Sequence, residues 1–219
     1  MAEETPDNAD WHPETITAGT RRTLSALRDR SLIADAYLAG GTGLALHFGH
    51  RLSVDLDFFI ADLFDEESFL ASVQAMPDFS LVAKAPHTIH AVIQGTKVSF
   101  LGYPYPVLFS PARFLEVQVA DARDIACMKV SAIASRGTKR DFIDLYVASE
   151  RFGLKSILGW FARKYVQTRY NRLHILKSLT FFRDAAKDPM PHMLAPIAWD
   201  DVAHFFSQEV SGLLEWAAE

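Results

Sequence analysis

The sequence has very little cysteine, and this limits the sites that the protein can form. Cys127 is the only cysteine among 219 residues, so neither an internal disulfide nor a cysteine-rich zinc site is available. No run approaches the roughly 20 consecutive apolar residues that a membrane-spanning helix needs. The first ten residues, MAEETPDNAD, are acidic where a secretory signal is basic and then apolar. We therefore expect a cytoplasmic protein without a membrane partner.

Several common catalytic signatures are absent as well. The sequence contains neither a Gly-x-Ser-x-Gly nucleophile motif nor a Walker-type Gly-Lys-Ser/Thr motif. His87 and His90 lie in a strand-like segment without further Cys or His to complete a zinc site. We expect both histidines to be surface residues.

Charge is distributed unevenly along the chain. The net charge is −5, but residues 1–110 carry −7, residues 111–187 carry +8, and residues 188–219 carry −6 without a single Lys or Arg. A basic block between acidic ones is typical of a surface that binds a polyanion. Solvated faces of Lys/Arg-rich helices would give the same counts, so this pattern leaves both interpretations open.

The hydrophobic pattern predicts an α+β protein. Apolar residues make up 49% of the chain and charged residues 22%, as in ordinary folded domains. We expect a disordered acidic tail over 1–12, then a mixed β-sheet with helices over 13–110, and an α-helical region over 111–219 that completes the active site. Alternating strand patterns end at the Pro-rich segment 103–106, and helical periodicity begins near Asp121.

Asp55 and Asp57 are the first candidates for chemistry. Two residues apart on a predicted strand, they share one face, with Leu56 on the other. Paired carboxylates bind Mg²⁺ while substrate phosphates complete its coordination; a solvent-exposed face would show the same pattern. The turn Gly40-Gly41-Thr42 lies upstream, where helix N–H groups can hold a phosphate. We expect this turn to contribute to a nucleotide site.

Arg51 and Ser53 lie between these two elements. A planar guanidinium can clamp a triphosphate, and Ser53 shares the strand face of the two aspartates because the side-chain period is two. Both are secondary candidates for nucleotide binding.

Three further charged residues interrupt apolar helix faces. Lys129 lies between Ile125 and Ile133 at i, i+4 spacing, so it needs a carboxylate or phosphate partner unless its chain extends to the helix edge. Asp141 and Asp144 share a face with core-type residues. They are expected either to join the two helices through nearby cations or to bind Lys129, a metal or a nucleotide hydroxyl.

These segments resemble the AbiEii/AbiGii-type nucleotidyltransferase toxins. The resemblance covers roughly residues 30–150. It implies a DNA polymerase β-like palm with a helical C-terminal part, in a toxin of a toxin–antitoxin or abortive-infection system. Characterised relatives transfer nucleotides to tRNA acceptor ends, and we expect transfer from an NTP to an RNA or a protein acceptor. It is carried by the segments Leu38–Leu46, His50–Phe58, Lys129 and Arg140–Leu145.

The resemblance also assigns roles. Ser53 and Asp55 fall on the family's catalytic motif, Asp57 on its second metal carboxylate, Lys129 on its lysine, and Asp141 on its downstream acid. We therefore expect Mg²⁺ as cofactor, an RNA acceptor along the basic helices of 136–187, and a cognate antitoxin.

One departure from the superfamily bears on activity. Ser99 stands where many palm nucleotidyltransferases have a third carboxylate on a later strand. There are two alternatives: a pseudo-enzyme that binds a nucleotide or docks a partner, and an enzyme that transfers a phosphoryl group to protein.

Overall fold

A computed structural model describes residues 10–217. Most of the predicted tail, residues 1–9, lies outside the described part. Trp11 and His12 are ordered: the Trp11 indole Nε1 donates to the carbonyl of Arg113 at 2.8 Å and its ring packs against His47, while the His12 N–H donates to the carbonyl of Leu46 at 2.9 Å. The prediction of disorder is wrong for these two residues, because the Trp11 ring packs against His47 and the His12 N–H has a backbone hydrogen-bond partner.

The described residues form two compact units, one ending at Asp121 and the other beginning at Ala122. The predicted boundary at 110 falls too early. Two short strands follow the Pro-rich segment and pair with the first unit's sheet, so the contacts of residues 111–121 belong to that unit.

The first unit is a mixed seven-stranded sheet with three α-helices among its described residues. In chain order these are α1 Ala18–Asp29, β1 Ala36–Leu38, α2 Gly40–Phe48, β2 Leu56–Ile60, α3 Glu66–Val73, β3 Ser80–Ala85, β4 Thr88–Ile93, β5 Thr96–Gly102, β6 Ala112–Phe114 and β7 Val117–Val119. The strand order is β3-β4-β5-β2-β1-β7-β6. The pairs β2/β5 and β1/β7 are parallel and the other pairs antiparallel.

The core of this unit lies on one face of the sheet. Along β2, Leu56, Phe58 and Ile60 are buried and alternate with half-buried residues, and Phe58 stacks on Phe100 of β5 with ring centroids 5.8 Å apart. Leu24 and Leu27 of α1 and two residues of α3 belong to the same buried cluster. Because strand side chains alternate between faces, Asp57 lies on the face away from this core.

The second unit is helical. Its helices are α4 Ala122–Ser135, α5 Lys139–Phe152, α6 Leu154–Lys164, α7 Arg172–Leu179 and α8 Trp199–Ser211. Thr138 caps α5 by accepting from the N–H of Asp141, and the helix ends at Gly153, whose φ is 80°. No helix within residues 10–217 combines the length and apolarity needed to cross a membrane.

Candidate active site

Gly40 brings the start of α2 against Asp57. Gly40 has φ 61°, and a Cβ at this position would lie 2.7 Å from Oδ2 of Asp57. The N–H of Ala39 donates to the carbonyl of Asp57 at 3.0 Å, which continues the pairing of β1 with β2. Only glycine satisfies both the left-handed backbone and the close approach. The Gly-Gly turn and the carboxylate therefore form one surface.

Thr42 ties the first turn of α2 to the segment before β2. Its hydroxyl lies 2.7 Å from Oγ of Ser53 and donates to the carbonyl of Asp55. Thr42 and Ser53 are both buried. The hydroxyl that we expected to meet a phosphate instead fixes Ser53 and Asp55, because a buried donor needs a protein partner. The N-cap residue of α2 is Ala39, so the helix begins at Gly40 and Thr42 lies inside its first turn.

Arg51 is buried rather than extended toward solvent. It is 3% exposed, and its Nη1 donates to the carbonyl of Leu52 at 3.0 Å. The guanidinium therefore has a fixed orientation within the first unit.

Asp55 and Asp57 are both half-buried, with Asp55 one residue before β2 and Asp57 within it. Mg²⁺ uses one or two protein carboxylates and takes its other ligands from substrate phosphates and water. The donor set therefore fits Mg²⁺ with a bound triphosphate. Within residues 10–217 no group of three or more His, Cys, Asp or Glu side chains is placed to hold a metal.

A polar row continues from Asp57 across the sheet. Ser99 of β5 is the register partner of Asp57, and His90 of β4 is the register partner of Ser99. Nδ1 of His90 lies 3.1 Å from Oγ of Ser99. His90 was expected to be a surface residue, but it is half-buried and joined to the strand beside the candidate metal site. In the sequence, only its position in the β4/β5 hairpin could have predicted this contact, because the hairpin register places His90 opposite Ser99.

Lys129, Asp141 and Asp144 form a buried ion cluster in the second unit. Nζ of Lys129 lies 2.9 Å from Oδ1 of Asp141 and 2.6 Å from Oδ2 of Asp144. Arg136 donates to Asp141 through Nε at 3.0 Å, and the Thr138 hydroxyl donates at 2.7 Å. The expectation that Lys129 has a carboxylate partner is confirmed, and Asp141 also joins α4 to α5 through Arg136.

These contacts determine the acidity of Asp141. Burial alone would raise the pKa of this carboxyl, but the positive charges of Lys129 and Arg136 and the hydrogen bonds from both hold its pKa well below the usual range. A carboxylate that is so strongly stabilised in its charged form is a weak proton acceptor. Asp141 is therefore better suited to holding the helices together than to acting as a base.

A second buried pair escaped the sequence analysis. Nζ of Lys164 lies 2.7 Å from Oδ1 of Asp124, and both side chains are almost fully buried. Burial raises the pKa of the neighbouring Cys127 thiol to about 12, so we expect this cysteine to be unreactive in the folded protein. The burial of Lys164 could have been predicted from the sequence, because this lysine follows Phe161 at i+3 on the apolar face of α6.

The predicted site residues thus fall into two groups. Gly40, Thr42, Ser53, Asp55 and Asp57 come together in the first unit. The ion cluster of Lys129, Asp141 and Asp144 lies in the second.

Comparisons with known proteins agree with this architecture. A sequence profile described as nucleotidyl transferase AbiEii toxin, type IV toxin–antitoxin system, matches residues 22–217. An uncharacterized protein of Aquifex aeolicus is 34% identical over 204 residues, which cover 89% of this chain and 96% of that protein. The nucleotidyltransferase toxin MenT4 of Mycobacterium tuberculosis shares the fold at a TM-score of 0.55, with 15% identity over 92% of this chain and 89% of that one. The chain belongs to the AbiEii family of nucleotidyltransferase toxins.

Proposed function

We propose that this protein is a Mg²⁺-dependent enzyme that transfers a nucleotide from an NTP to an RNA acceptor, and that a cognate antitoxin restrains it. The observation that supports this most directly is the juxtaposition of Asp57 with the Gly40 turn. This juxtaposition places a carboxylate that can bind a cation next to backbone N–H groups that can bind phosphates.

The start of α2 is the proposed phosphate site. Ala39 provides no side-chain hydrogen bond at the N-cap, and the first N–H groups of a helix have no partner within the helix. The helix dipole favours an anion there. Gly40 and Gly41 allow a phosphate to approach these N–H groups closely, while Thr42 fixes the turn against Ser53.

The two aspartates are the proposed metal ligands. When bound, Mg²⁺ would offset the charge of the triphosphate and of the transition state. Asp55 is held in place through its carbonyl by Thr42, and Asp57 by strand pairing on both sides. These contacts fix the backbone that carries both carboxylates before substrate binds, and a fixed arrangement of charges is the usual requirement for electrostatic catalysis.

Labelled NTPs test the reaction. The protein is incubated with each α-³²P-labelled NTP, Mg²⁺ and total tRNA, and label transfer to RNA is measured. Asp57→Asn should abolish transfer, whereas Asp62→Asn, which changes an exposed carboxylate shortly after β2, should not. Transfer at the normal rate by Asp57→Asn, or no transfer from any NTP, contradicts the proposal.

The basic segment supports RNA as the acceptor. Lys129, Lys139 and Lys164 are buried within it, but so are Asp124, Asp141 and Asp144. The buried charges cancel one for one, so the net charge of +8 over residues 111–187 remains on partly or fully exposed side chains. Surface cations of this density bind nucleic acid through counterion release.

The exposed residues Arg163 and Arg169 are the best positions for testing RNA binding. Arg172 is less suitable, since its guanidinium donates to the carbonyl of Trp216 at 2.8 Å. Replacing both exposed arginines with Ala should weaken RNA binding and flatten its salt dependence, while Lys164→Met should destabilise the fold instead. An unchanged salt slope in the double variant contradicts RNA binding at this surface.

Two alternatives give different results in the same assays. A phosphoryl transferase moves γ-³²P rather than α-³²P to its acceptor. A pseudo-enzyme binds NTP in a calorimetric titration without any turnover; the replacement of a third carboxylate by Ser99 is the observation that favours it.

A further inference from the structure

Ser99 occupies the place beside Asp57 that another acid could fill. The parallel register of β2 and β5 pairs Asp57 with Ser99, and adjacent strands lie about 4.8 Å apart. Both side chains are half-buried and lie on the face away from the core, since Phe58 and Phe100 stack on the core face. A group at position 99 can therefore reach a substrate bound at Asp57.

His90 is joined to this serine. The antiparallel register of β4 and β5 places His90 directly opposite Ser99, and Nδ1 of His90 lies 3.1 Å from the Ser99 Oγ. When the ring carries its proton on Nε2, Nδ1 accepts a hydrogen bond from the Ser99 hydroxyl. The serine oxygen then keeps its lone pairs for a donor on the Asp57 side.

We propose that Ser99 is the residue that accepts the hydrogen bond of the attacking hydroxyl, and that His90 is a positioning residue that orients Ser99 and takes up the proton through it. This inference rests on the proposed nucleotidyl transfer. It assigns to a Ser–His pair the place that a single carboxylate would otherwise fill.

The step balances as a relay. The acceptor oxygen forms a bond to the α-phosphorus while the bond from that phosphorus to the oxygen bridging to the β-phosphate breaks, and pyrophosphate leaves with the electron pair. The acceptor proton moves to Oγ of Ser99 as the serine's own proton moves to Nδ1 of His90. The imidazole ends as a cation, and the serine returns to its starting form.

A variant of His90 separates proton uptake from structure. In His90→Asn, the side-chain oxygen can still accept a hydrogen bond from Ser99 but cannot take up a proton at neutral pH. We expect kcat to fall by about 10²–10⁴-fold, the usual contribution of general-base catalysis. The affinity for a non-hydrolysable NTP analogue, measured by calorimetry, should stay unchanged.

His87 provides a matched control on the same hairpin. Its Nδ1 contacts the carbonyl of Phe64 rather than the polar row, and its φ is 53°, a conformation that Asn tolerates. His87→Asn should therefore retain normal kcat. A similar loss of kcat in both variants would show that any change in the hairpin impairs the enzyme, and would overturn the specific role of His90.

Rescue provides the decisive measurement. Ser99→Asp supplies a carboxylate that accepts the proton directly. Adding His90→Asn to Ser99→Asp should therefore leave kcat unchanged, and this double variant should have a higher kcat than His90→Asn alone. An equally slow double variant, or a normal kcat for His90→Asn, overturns the inference while leaving the proposed function intact. If the unaltered protein transfers no nucleotide to any acceptor, the proposed function itself fails.

Discussion

The buried ion cluster predicts that replacing Lys129 destabilises the second unit. Lys129, Asp141 and Asp144 are 5%, 1% and 0% exposed. Lys129→Met keeps the length of the side chain but removes a charge that lies within 2.9 Å of both carboxylates. Breaking a buried ion pair from one side costs about 3–5 kcal/mol because the opposite charge stays buried. Asp141 keeps its contacts with Arg136, so we expect the lower end of this range.

Urea unfolding followed by tryptophan fluorescence measures this cost. Trp160, Trp199 and Trp216 all lie in the second unit, so the signal reports chiefly on it. Lys155→Met, which removes an exposed lysine from α6, should change the free energy of unfolding by less than about 0.5 kcal/mol. If Lys129→Met unfolds within 1 kcal/mol of the unaltered protein, roughly the scale of a surface change, the cluster does not stabilise the unit and the reasoning is refuted.

The same cluster predicts the direction of a pH dependence. The pKa of Asp141 is lowered in the folded protein, so its contribution to stability is fully present above the ordinary carboxyl pKa of about 3.9 and is lost as the pH falls further. The stability difference between the unaltered protein and Asp141→Asn should therefore be constant from pH 5 to 8 and shrink below about pH 4. A difference that grows toward acid pH contradicts the assignment.

Three further predictions concern other positions. Gly40→Ala should lower the free energy of unfolding by about 1–3 kcal/mol, because the position has a left-handed backbone and the added carbon clashes with Asp57; it should also weaken NTP binding. Gly159→Ala, with nothing within 4 Å of the added carbon, should be neutral or stabilising in a thermal melt. Cys127, whose thiol pKa is raised to about 12, should react with a thiol reagent at pH 8 only after unfolding; labelling of the native protein would contradict its burial. Replacing Arg163 and Arg169 singly by Ala should each lower the salt slope of RNA binding by about 1.

Much of the first unit was predictable because its signals are local. Alternation around Asp57 and the glycines before Thr42 each act over a few residues, and the structure brings them together as expected. The strands β6 and β7 were missed because each has three residues and follows a Pro-rich segment. They are strands only because β7 pairs with β1, a long-range contact that no local pattern records.

Helical periodicity is informative about two lysines of the second unit, but it was used to predict the burial of only one of them. Lys129 was recognised as an apolar-face lysine that needs a partner, and its partners are Asp141 and Asp144. Lys164 has the same signature, but its burial was not predicted because it was included in the basic helices 136–187 expected to bind RNA; it is paired with Asp124. Applied to both lysines, the periodicity indicates burial, whereas the choice of partner depends on the packing of α4 against its neighbours.

The proposed proton acceptor rests on two observations taken together. Asp141, which the resemblance places on the family's downstream acid, is held ionised by Lys129 and Arg136 and is a weak base for that reason. The strand position beside Asp57 carries Ser99, whose hydroxyl has little basicity of its own. A serine becomes effective only with a base behind it, and His90 is hydrogen-bonded to it. The replacement of the third carboxylate therefore does not by itself indicate a pseudo-enzyme.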